Sequence, residues 1–261
     1  MKDKKRRDFI KQMTGLGVLG LAAAGAIVGG KELLAREETP LRPPGAMPEH
    51  QFLALCIKCG QCLQVCPYDS ILLEDVNGKA GVGTAYIDPD KRGCYLCKAL
   101  PCILACPSGA LDHSIADDVR KVRMGVAVIA NENACLALYN KPVPESERDL
   151  IYEHTKVLTA KEKKEKKVYD LPNPSEKRQL QVDLLKKVEQ YVGKQCTICA
   201  DLCPYPEPSL AIGMVKKGAG YIPEIRDKCV GCGACVELCP TDVLKIIPHK
   251  TYEQVYKKAT V

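Results

Sequence analysis

The chain has 261 residues, of which sixteen are cysteine, whereas aromatic residues make up only 5 % and tryptophan is absent. This is too little bulky apolar material for one large core, and small units of this kind depend on covalent or metal cross-links. With 46 % apolar residues the chain is not disordered as a whole, and its single long uncharged apolar stretch, residues 12–30, excludes a polytopic membrane protein.

The N-terminal segment has the order of an export signal. Residues 1–11 carry a net charge of +4, out of +6 for the whole chain, and the apolar stretch follows directly. Residues 6–11, Arg-Arg-Asp-Phe-Ile-Lys, resemble a twin-arginine signal, which implies export in the folded state by the twin-arginine translocation machinery. We therefore assign residues 1–35 to a twin-arginine signal peptide or N-terminal anchor. No clean small-residue cleavage site stands at its polar edge, so a cleaved and an anchored form both remain open.

Fifteen of the sixteen cysteines fall into four compact motifs that each end in Cys-Pro. In chain order the motifs contain Cys56, Cys59, Cys62 and Cys66; Cys94, Cys97, Cys102 and Cys106; Cys196, Cys199 and Cys203; and Cys229, Cys232, Cys235 and Cys239. The first and fourth have the C-x2-C-x2-C-x3-C-P spacing of bacterial ferredoxins, in which three thiolates hold one [4Fe–4S] cluster and the fourth reaches a neighbouring cluster. The sequence therefore predicts iron–sulfur clusters.

Two simpler interpretations of the cysteines are weaker. Structural zinc usually takes separated C-x2-C pairs or cysteine with histidine, whereas here four cysteines crowd into each motif and the chain has only four histidines. Disulfides would suit an exported protein, but a disulfide framework does not require four repeats that end in Cys-Pro. Export of the folded chain also agrees with clusters that are inserted before the protein leaves the cytoplasm.

The remaining cysteine, Cys135, stands apart from the motifs, and the third motif has one cysteine fewer than the others. Residues 133–136, Asn-Ala-Cys-Leu, occupy the place at which the repeat has its first cysteine. We therefore predict that Cys135 completes the third site, so that sixteen cysteines hold four [4Fe–4S] clusters as iron ligands. A buried, inert thiol beside a three-cysteine or three-iron centre remains the alternative.

Short strand-like segments flank the motifs, and the pattern recurs four times along the chain. We predict an α+β fold of two tandem bacterial ferredoxin-like units, each with two clusters. The first unit is expected at residues 48–134 with motifs one and two, and the second at residues 135–261 with motifs three and four.

An insertion at residues 140–192 interrupts the second unit. It contains a charge-dense run at residues 161–167 and an amphipathic pattern near residues 175–192, which predicts a helix. We interpret the insertion as a surface excursion.

The net charge does not favour nucleic acid as a partner. Each occupied site would add four thiolate charges and a core of about +2, which lowers the charge of the whole chain from +6 to about −2. Because most of the original positive charge lies in residues 1–11, we expect no nucleic-acid binding.

The chain resembles the ferredoxin-type NapG family of periplasmic nitrate reductase systems and the related MauM family. The resemblance lies in a leader followed by four cysteine motifs, of which the second has an x4 spacer and the third a detached first cysteine. The resemblance extends over nearly the whole chain and departs in the 60 residues between Cys135 and Cys196, where the family pattern is shorter. It implies that a membrane quinol dehydrogenase of NapH type oxidises quinol, and that the periplasmic protein relays electrons to nitrate reductase or its cytochrome subunit.

We therefore expect a periplasmic iron–sulfur electron-transfer protein with no catalytic residues of its own. The same role in another respiratory system, with formate, hydrogen or an amine as substrate, is the alternative within this class. From a different class, a catalytic subunit that reduces a small molecule would need an open iron site or a further cofactor motif.

The distribution of cysteines among the four clusters remains open at this point. In one arrangement neighbouring motifs exchange their last cysteines, so that Cys66 joins the second cluster and Cys106 the first, with Cys203 and Cys239 exchanged likewise. In the other, found in four-cluster subunits of molybdenum oxidoreductases, the first motif pairs with the fourth and the second with the third.

Overall fold

The computed structural model describes residues 39–76 and 81–257, so the predicted leader at residues 1–35 lies outside the described residues. The described strands are β1 (Ile71–Leu73), β2 (Ala85–Ile87), β3 (Gly125–Ile129), β4 (Ile212–Lys217), β5 (Gly220–Ile225) and β6 (Leu244–Pro248). The described helices are α1 (Glu49–Leu55), α2 (Gln61–Gln64), α3 (Pro101–Leu104), α4 (Glu145–His154), α5 (Ala160–Glu165), α6 (Glu176–Glu189), α7 (Ile198–Asp201), α8 (Pro208–Ala211), α9 (Ala234–Glu237) and α10 (Tyr252–Tyr256). In this part of the chain, none of the helices combines the length and the apolar character that crossing a membrane requires.

Small antiparallel pairings frame the motifs in each half of the fold. In the first half, the hairpin β1–β2 connects motifs one and two, and an isolated antiparallel bridge pairs Ala46 with Leu111. In the second half, the hairpin β4–β5 connects motifs three and four, and β3 pairs with β6 from Gly125↔Pro248 to Ile129↔Leu244. The α+β architecture of two ferredoxin-type units is therefore confirmed.

The second ferredoxin-like half begins earlier than residue 135, where the sequence analysis places it. Strand β3, at Gly125–Ile129, forms its ladder with β6 after the fourth motif, and its first three residues are buried there. The predicted first unit, residues 48–134, thus contains one strand of the second. Moreover, Thr39–Val261 is a single compact unit, so the two halves are not separate domains.

The residues around 208–212 differ from the simple strand that the repeat suggests. Pro208 stands in the first turn of α8, where its fixed φ and missing N–H are tolerated, and the strand starts only at Ile212.

The insertion is a folded helical segment rather than a mere surface excursion. Ser175 caps α6 by accepting a hydrogen bond from the Arg178 N–H, and the helix then buries one face against α4. The buried residues of this layer are Ile151, Tyr152, Leu158, Val182, Leu184, Leu185 and Val188, which belong to the same apolar cluster as the core of the second half. The predicted helix near residues 175–192 is confirmed as α6.

Candidate functional site

All sixteen cysteines lie in the described residues, and they surround four cavities with four side chains each. Site I has Cys56, Cys59, Cys62 and Cys106; site II has Cys66, Cys94, Cys97 and Cys102; site III has Cys135, Cys196, Cys199 and Cys239; site IV has Cys203, Cys229, Cys232 and Cys235. The empty space in sites I to IV, open mouths included, is about 390, 350, 320 and 360 Å³. Four cavities of similar size suit four copies of one group.

The structure decides between the two arrangements that the sequence leaves open. Cys66 lines the cavity of Cys94, and Cys106 lines the cavity of Cys56. The last cysteines of motifs three and four are exchanged in the same way. Neighbouring motifs therefore share their sites, and a one-turn helix such as α2 carries the chain from three cysteines of one site to the fourth cysteine of the next.

Cys135 lies at site III together with the two first cysteines of the shortened third motif. Short 3₁₀ turns on either side, Glu132–Ala134 and Leu136–Tyr139, hold its backbone, and its side chain is 5 % exposed. The Sγ atom lies 3.9 Å from the Tyr221 carbonyl oxygen on β5. It lines the same cavity as Cys196, Cys199 and Cys239.

Left-handed backbone conformations shape the cysteine loops. The second residue after the first cysteine has positive φ in three motifs: 61° at Lys58, 46° at Leu96 and 70° at Gly231. A side chain at Gly231 would also meet the backbone of Gly125 at 2.3 Å, so glycine is required there. Such turns direct successive backbone N–H groups into a concave surface, which suits an anionic group.

Backbone amides also contact the cysteine sulfurs. The Ser70 N–H donates to Cys66 Sγ at 3.4 Å, and the Val243 N–H donates to Cys239 Sγ at 3.3 Å. These two cysteines occupy equivalent places at the ends of their motifs. Hydrogen bonds to ligand sulfurs stabilise negative charge, and they are one of the means by which a protein sets a cluster potential.

Burial in the cavities keeps most of the cysteine thiols protonated. Burial raises the pKa of Cys62 to about 11 and that of Cys97 to about 12, with repulsion by neighbouring cysteines in addition. The pKa of Cys106 is lowered, by contrast. Burial alone would raise it, but hydrogen bonds from the Leu111 backbone and from the backbone and side chain of Ser108 outweigh the effect of burial. Most of these thiols become thiolates only when a positive charge enters the cavity, as iron provides.

The donor chemistry and the walls of the sites fit a [4Fe–4S] cluster. All sixteen cysteines are free thiols. Within residues 39–76 and 81–257, no three His, Cys, Asp or Glu side chains converge on the position of a single metal ion. The cysteines instead line the walls of cavities. An apolar residue one or two positions after the first cysteine of each motif stands in the wall of a site: Ile57 at site I, Tyr95 at site II, Ile198 at site III and Val230 at site IV.

Solvent access differs between the sites. Cys59 of site I is exposed, and its neighbour Ile57 is 64 % exposed. At site III, by contrast, Cys135, Cys196 and Cys199 are all less than 10 % exposed. Site I is therefore the more accessible of these two to an external redox partner.

A buried polar network beside site II was not foreseen from the sequence. Glu237, fully buried one turn into α9, accepts hydrogen bonds from the Gly93 N–H at 2.7 Å and the Tyr95 hydroxyl at 2.9 Å. Arg92 lies 3.1 Å from the same carboxylate. Burial raises the pKa of Glu237, although the Arg92 charge opposes this shift. Its partners lie more than 140 positions away along the chain, so no local pattern could reveal the network.

The insertion also reaches the first half near site II. The Gln181 side chain on α6 donates to the Pro67 carbonyl oxygen at 2.7 Å and to Asp69 at 3.0 Å. Lys177 forms an ion pair with Asp69 at 2.5 Å. The insertion thus supports the Cys-Pro turn that places Cys66 in site II.

Comparison with known proteins agrees with this chemistry. The profile of the 4Fe-4S dicluster domain matches residues 55–110, and that of the 4Fe-4S binding domain matches residues 222–245. The cysteine sites and these matches define the chain as a ferredoxin-type iron–sulfur electron-transfer protein. No solved structure matches the chain.

Similarity over most of the chain identifies the family. The chain is 30 % identical to the ferredoxin-type protein NapG of Haemophilus influenzae over 255 residues, covering 94 % of this chain and 72 % of that protein. It is 30 % identical to the methylamine utilization ferredoxin-type protein MauM of Methylophilus methylotrophus over 256 residues, covering 95 % and 88 %. NapG of Escherichia coli is 27 % identical over 252 residues, covering 93 % and 85 %. The chain belongs to the family of ferredoxin-type proteins that contains NapG and MauM.

Proposed function

We propose that the protein carries four [4Fe–4S] clusters, one in each cysteine site, and relays electrons between a membrane quinol dehydrogenase and a periplasmic acceptor. The observation that carries the proposal is the division of sixteen cysteines into four sets of four around cavities of equal kind. A carrier of this type needs no substrate pocket and no proton-transfer group.

When bound, a [4Fe–4S] cluster supplies one-electron oxidation and reduction at nearly fixed geometry. The residues of the chain bind it, keep water away from it and set its potential. The cysteine thiolates would hold the iron, and apolar side chains such as Ile198 and Val230 line the walls. Amide donors such as the Ser70 and Val243 N–H groups stabilise the reduced, more negative state.

For the partners, we propose a quinol dehydrogenase of NapH type as electron donor and periplasmic nitrate reductase, or its cytochrome subunit, as acceptor. The similarity to NapG proteins over most of the chain supports this choice. A second candidate acceptor belongs to an amine-oxidising system, because relatives of equal identity are named for methylamine utilization.

The test is a reconstitution with the anaerobically purified holoprotein. Membranes that contain the NapH-type dehydrogenase, supplied with a quinol, should bleach the visible absorption of the protein, whereas membranes without the dehydrogenase should not. Nitrate reductase with nitrate should then restore the absorption. Restoration only by the acceptor of an amine system would favour the second candidate, and no bleaching by quinol would contradict the proposed donor.

We also propose that the protein works in the periplasm after export by the twin-arginine route, with residues 1–35 as signal or anchor. The support is the segment Arg6-Arg7 before the apolar stretch. The double variant Arg6→Lys with Arg7→Lys keeps the charge and should retain the protein in the cytoplasm. The control, Lys4→Arg with Lys5→Arg, should still be exported. Equal export of both variants would contradict this route.

A further inference from the structure

Sites II and IV meet at a direct backbone contact between the two halves. The Cys94 N–H of site II donates to the carbonyl oxygen of Cys232 of site IV at 2.8 Å. Next to it, Cys94 and Gly233 form a parallel bridge. A ligand of one site is therefore hydrogen-bonded through the backbone to a ligand of the other. We call the contact between residues 92–95 and residues 232–237 the II–IV junction.

Packing around the junction is too tight for any side chain at Gly93. A Cβ atom there would lie 2.5 Å from the Ala234 nitrogen and 2.6 Å from the Gly233 carbonyl carbon. Glu237 clamps the same place, since its carboxylate accepts from both the Gly93 N–H and the Tyr95 hydroxyl. The close approach of the Gly93 backbone to Gly233 and Ala234 therefore fixes the junction, together with the Glu237 carboxylate and its two donors.

The two apolar clusters of the fold show which sites pack together. Residues of the fourth-motif loop, Val230, Cys232 and Ala234, are buried in the apolar cluster of the first half, together with Cys66 and Cys94 of site II. Cys229 and Cys235 of site IV pack against the other cluster, to which the cysteines of site III belong. Site IV therefore lies between site II and site III.

Strand β3 sets the positions of sites III and IV along the second half. Just before the strand begins, the Met124 N–H donates to the Val230 carbonyl oxygen at 3.0 Å. This hydrogen bond joins the loop of site IV to the segment that connects the first half to β3. At its end, Ile129 pairs with Leu244, which lines site III. A five-residue strand separates its first and last Cα atoms by about 13 Å. Site IV consequently lies on the side of the first half, and site III lies beyond it.

Exchange of last cysteines places site I beside site II and site III beside site IV. On this basis, and given the four clusters of the proposed function, we propose that the sites form a linear electron path in the order I–II–IV–III. The path thus runs against the chain order in the second half. Gly93 and Glu237 are positioning residues that fix its central step. An electron that crosses the junction from II to IV oxidises one cluster and reduces the other by one electron, with no bond broken and no proton moved.

The order can be tested by magnetic coupling between reduced clusters, measured by electron paramagnetic resonance on the holoprotein. Two matched variants, Cys235→Ala and Cys199→Ala, each remove one ligand, from site IV and site III respectively. In Cys235→Ala, site III loses its neighbour, so we expect an uncoupled signal of about one spin per chain. In Cys199→Ala, sites I, II and IV remain adjacent, so we expect no uncoupled signal. The opposite pattern would mean the order I–II–III–IV and would overturn the proposal.

A milder variant keeps the test decisive if a cysteine variant fails to fold. Gly93→Ala inserts a methyl group into the junction. The control, Gly218→Ala, adds one where nothing lies within 4 Å and strains only a hairpin turn with φ of 60° between β4 and β5. We expect weaker coupling between two clusters in Gly93→Ala with unchanged iron content, and native coupling in Gly218→Ala. Native coupling in both would refute the junction as the central step. The iron content of the native protein reports separately on the proposed function, because far fewer than about sixteen irons would contradict four clusters themselves.

Discussion

The ion pair between Arg178 and Glu162 is the contact whose loss should loosen the insertion most. Arg178 projects from α6 to the Glu162 carboxylate on α5, and it also donates to the carbonyl oxygens of Val157 at 2.8 Å and Tyr169 at 3.0 Å. The side chains are only 9 % and 2 % exposed. One guanidinium therefore joins three separate segments of the insertion.

Two arguments give the loss of stability that follows replacement of Arg178. Loss of one partner from a buried ion pair costs about 3–5 kcal/mol, because the other charge remains buried and unpaired. Independently, burial would raise the pKa of Glu162, but hydrogen bonds from Arg178, Tyr169 and Thr159 outweigh it and lower the pKa from 4.5 to about 2. The whole shift corresponds to about 3 kcal/mol shared among these three donors, so it sets an upper limit for the part that Arg178 contributes. We therefore expect about 3 kcal/mol for Arg178→Met.

The pH dependence of this contribution follows from the direction of the pKa change. Because the folded pKa is depressed, the stabilisation is fully present above the unfolded value of 4.5 and is lost as the pH falls through about 2. Between pH 6 and pH 9 the carboxyl stays ionised in both states. The contribution of the pair should therefore be constant across that window.

Hydrogen exchange of the insertion, followed by mass spectrometry on the holoprotein at neutral pH, measures this local stability. A loss of about 3 kcal/mol corresponds to roughly 150-fold faster exchange of protected amides in α5 and α6. Arg148→Met is the control, because Arg148 makes only partly exposed ion pairs on α4, each worth about 0–1 kcal/mol. The double variant Arg178→Met with Glu162→Gln removes the unpaired charge and keeps one oxygen that accepts from the Thr159 or the Tyr169 N–H group, so it should recover part of the protection. Exchange in Arg178→Met within threefold of the native rate would refute the reasoning.

Three further predictions concern single residues near the sites. Glu147 is buried, and its Oε1 atom lacks a hydrogen-bond partner within the described residues. Burial and the Glu237 charge raise its pKa from 4.5 to about 7, so its destabilising effect is absent below pH 4.5, grows between pH 4.5 and 7 and is constant above that. Glu147→Gln should consequently slow exchange in α4 at pH 8.5 by up to about 300-fold and at pH 5 by only about fourfold; equal effects at both pH values would contradict this. Cys135→Ala should lose about four of sixteen irons by metal analysis, whereas unchanged iron would remove Cys135 from the ligands. Ile57→Asp places a negative charge beside the exposed cysteine of site I and should slow reduction by anionic dithionite in stopped flow, while Ile57→Leu should not; equal rates would contradict access through site I.

Local chemistry made part of this molecule predictable. The spacing of the cysteines and the glycine at position 231 specify tight loops, because only short spacers and left-handed turns can direct three side chains into one cavity. Cys135 could be assigned to the third site because the repeat has a place for it. The α6 helix was predictable from its apolar face, since that pattern depends on neighbouring residues alone.

Contacts between distant segments account for what the sequence left open. The exchange of Cys66 and Cys106 between sites depends on how two motifs pack, and the spacing within each motif is equally compatible with the other arrangement. The burial of Gly93 against Ala234 joins positions 141 residues apart. From the sequence, strand β3 falls in the first unit because it precedes Cys135, yet its partner β6 follows the fourth motif.

Iron and acid-labile sulfide per chain, measured with the visible spectrum of anaerobically purified protein, test the central claim most directly. Four occupied sites predict close to sixteen of each, with broad brown absorption that dithionite bleaches. A colourless, zinc-containing or disulfide-linked protein, shown not to result from failed cluster assembly, would contradict the four-cluster carrier.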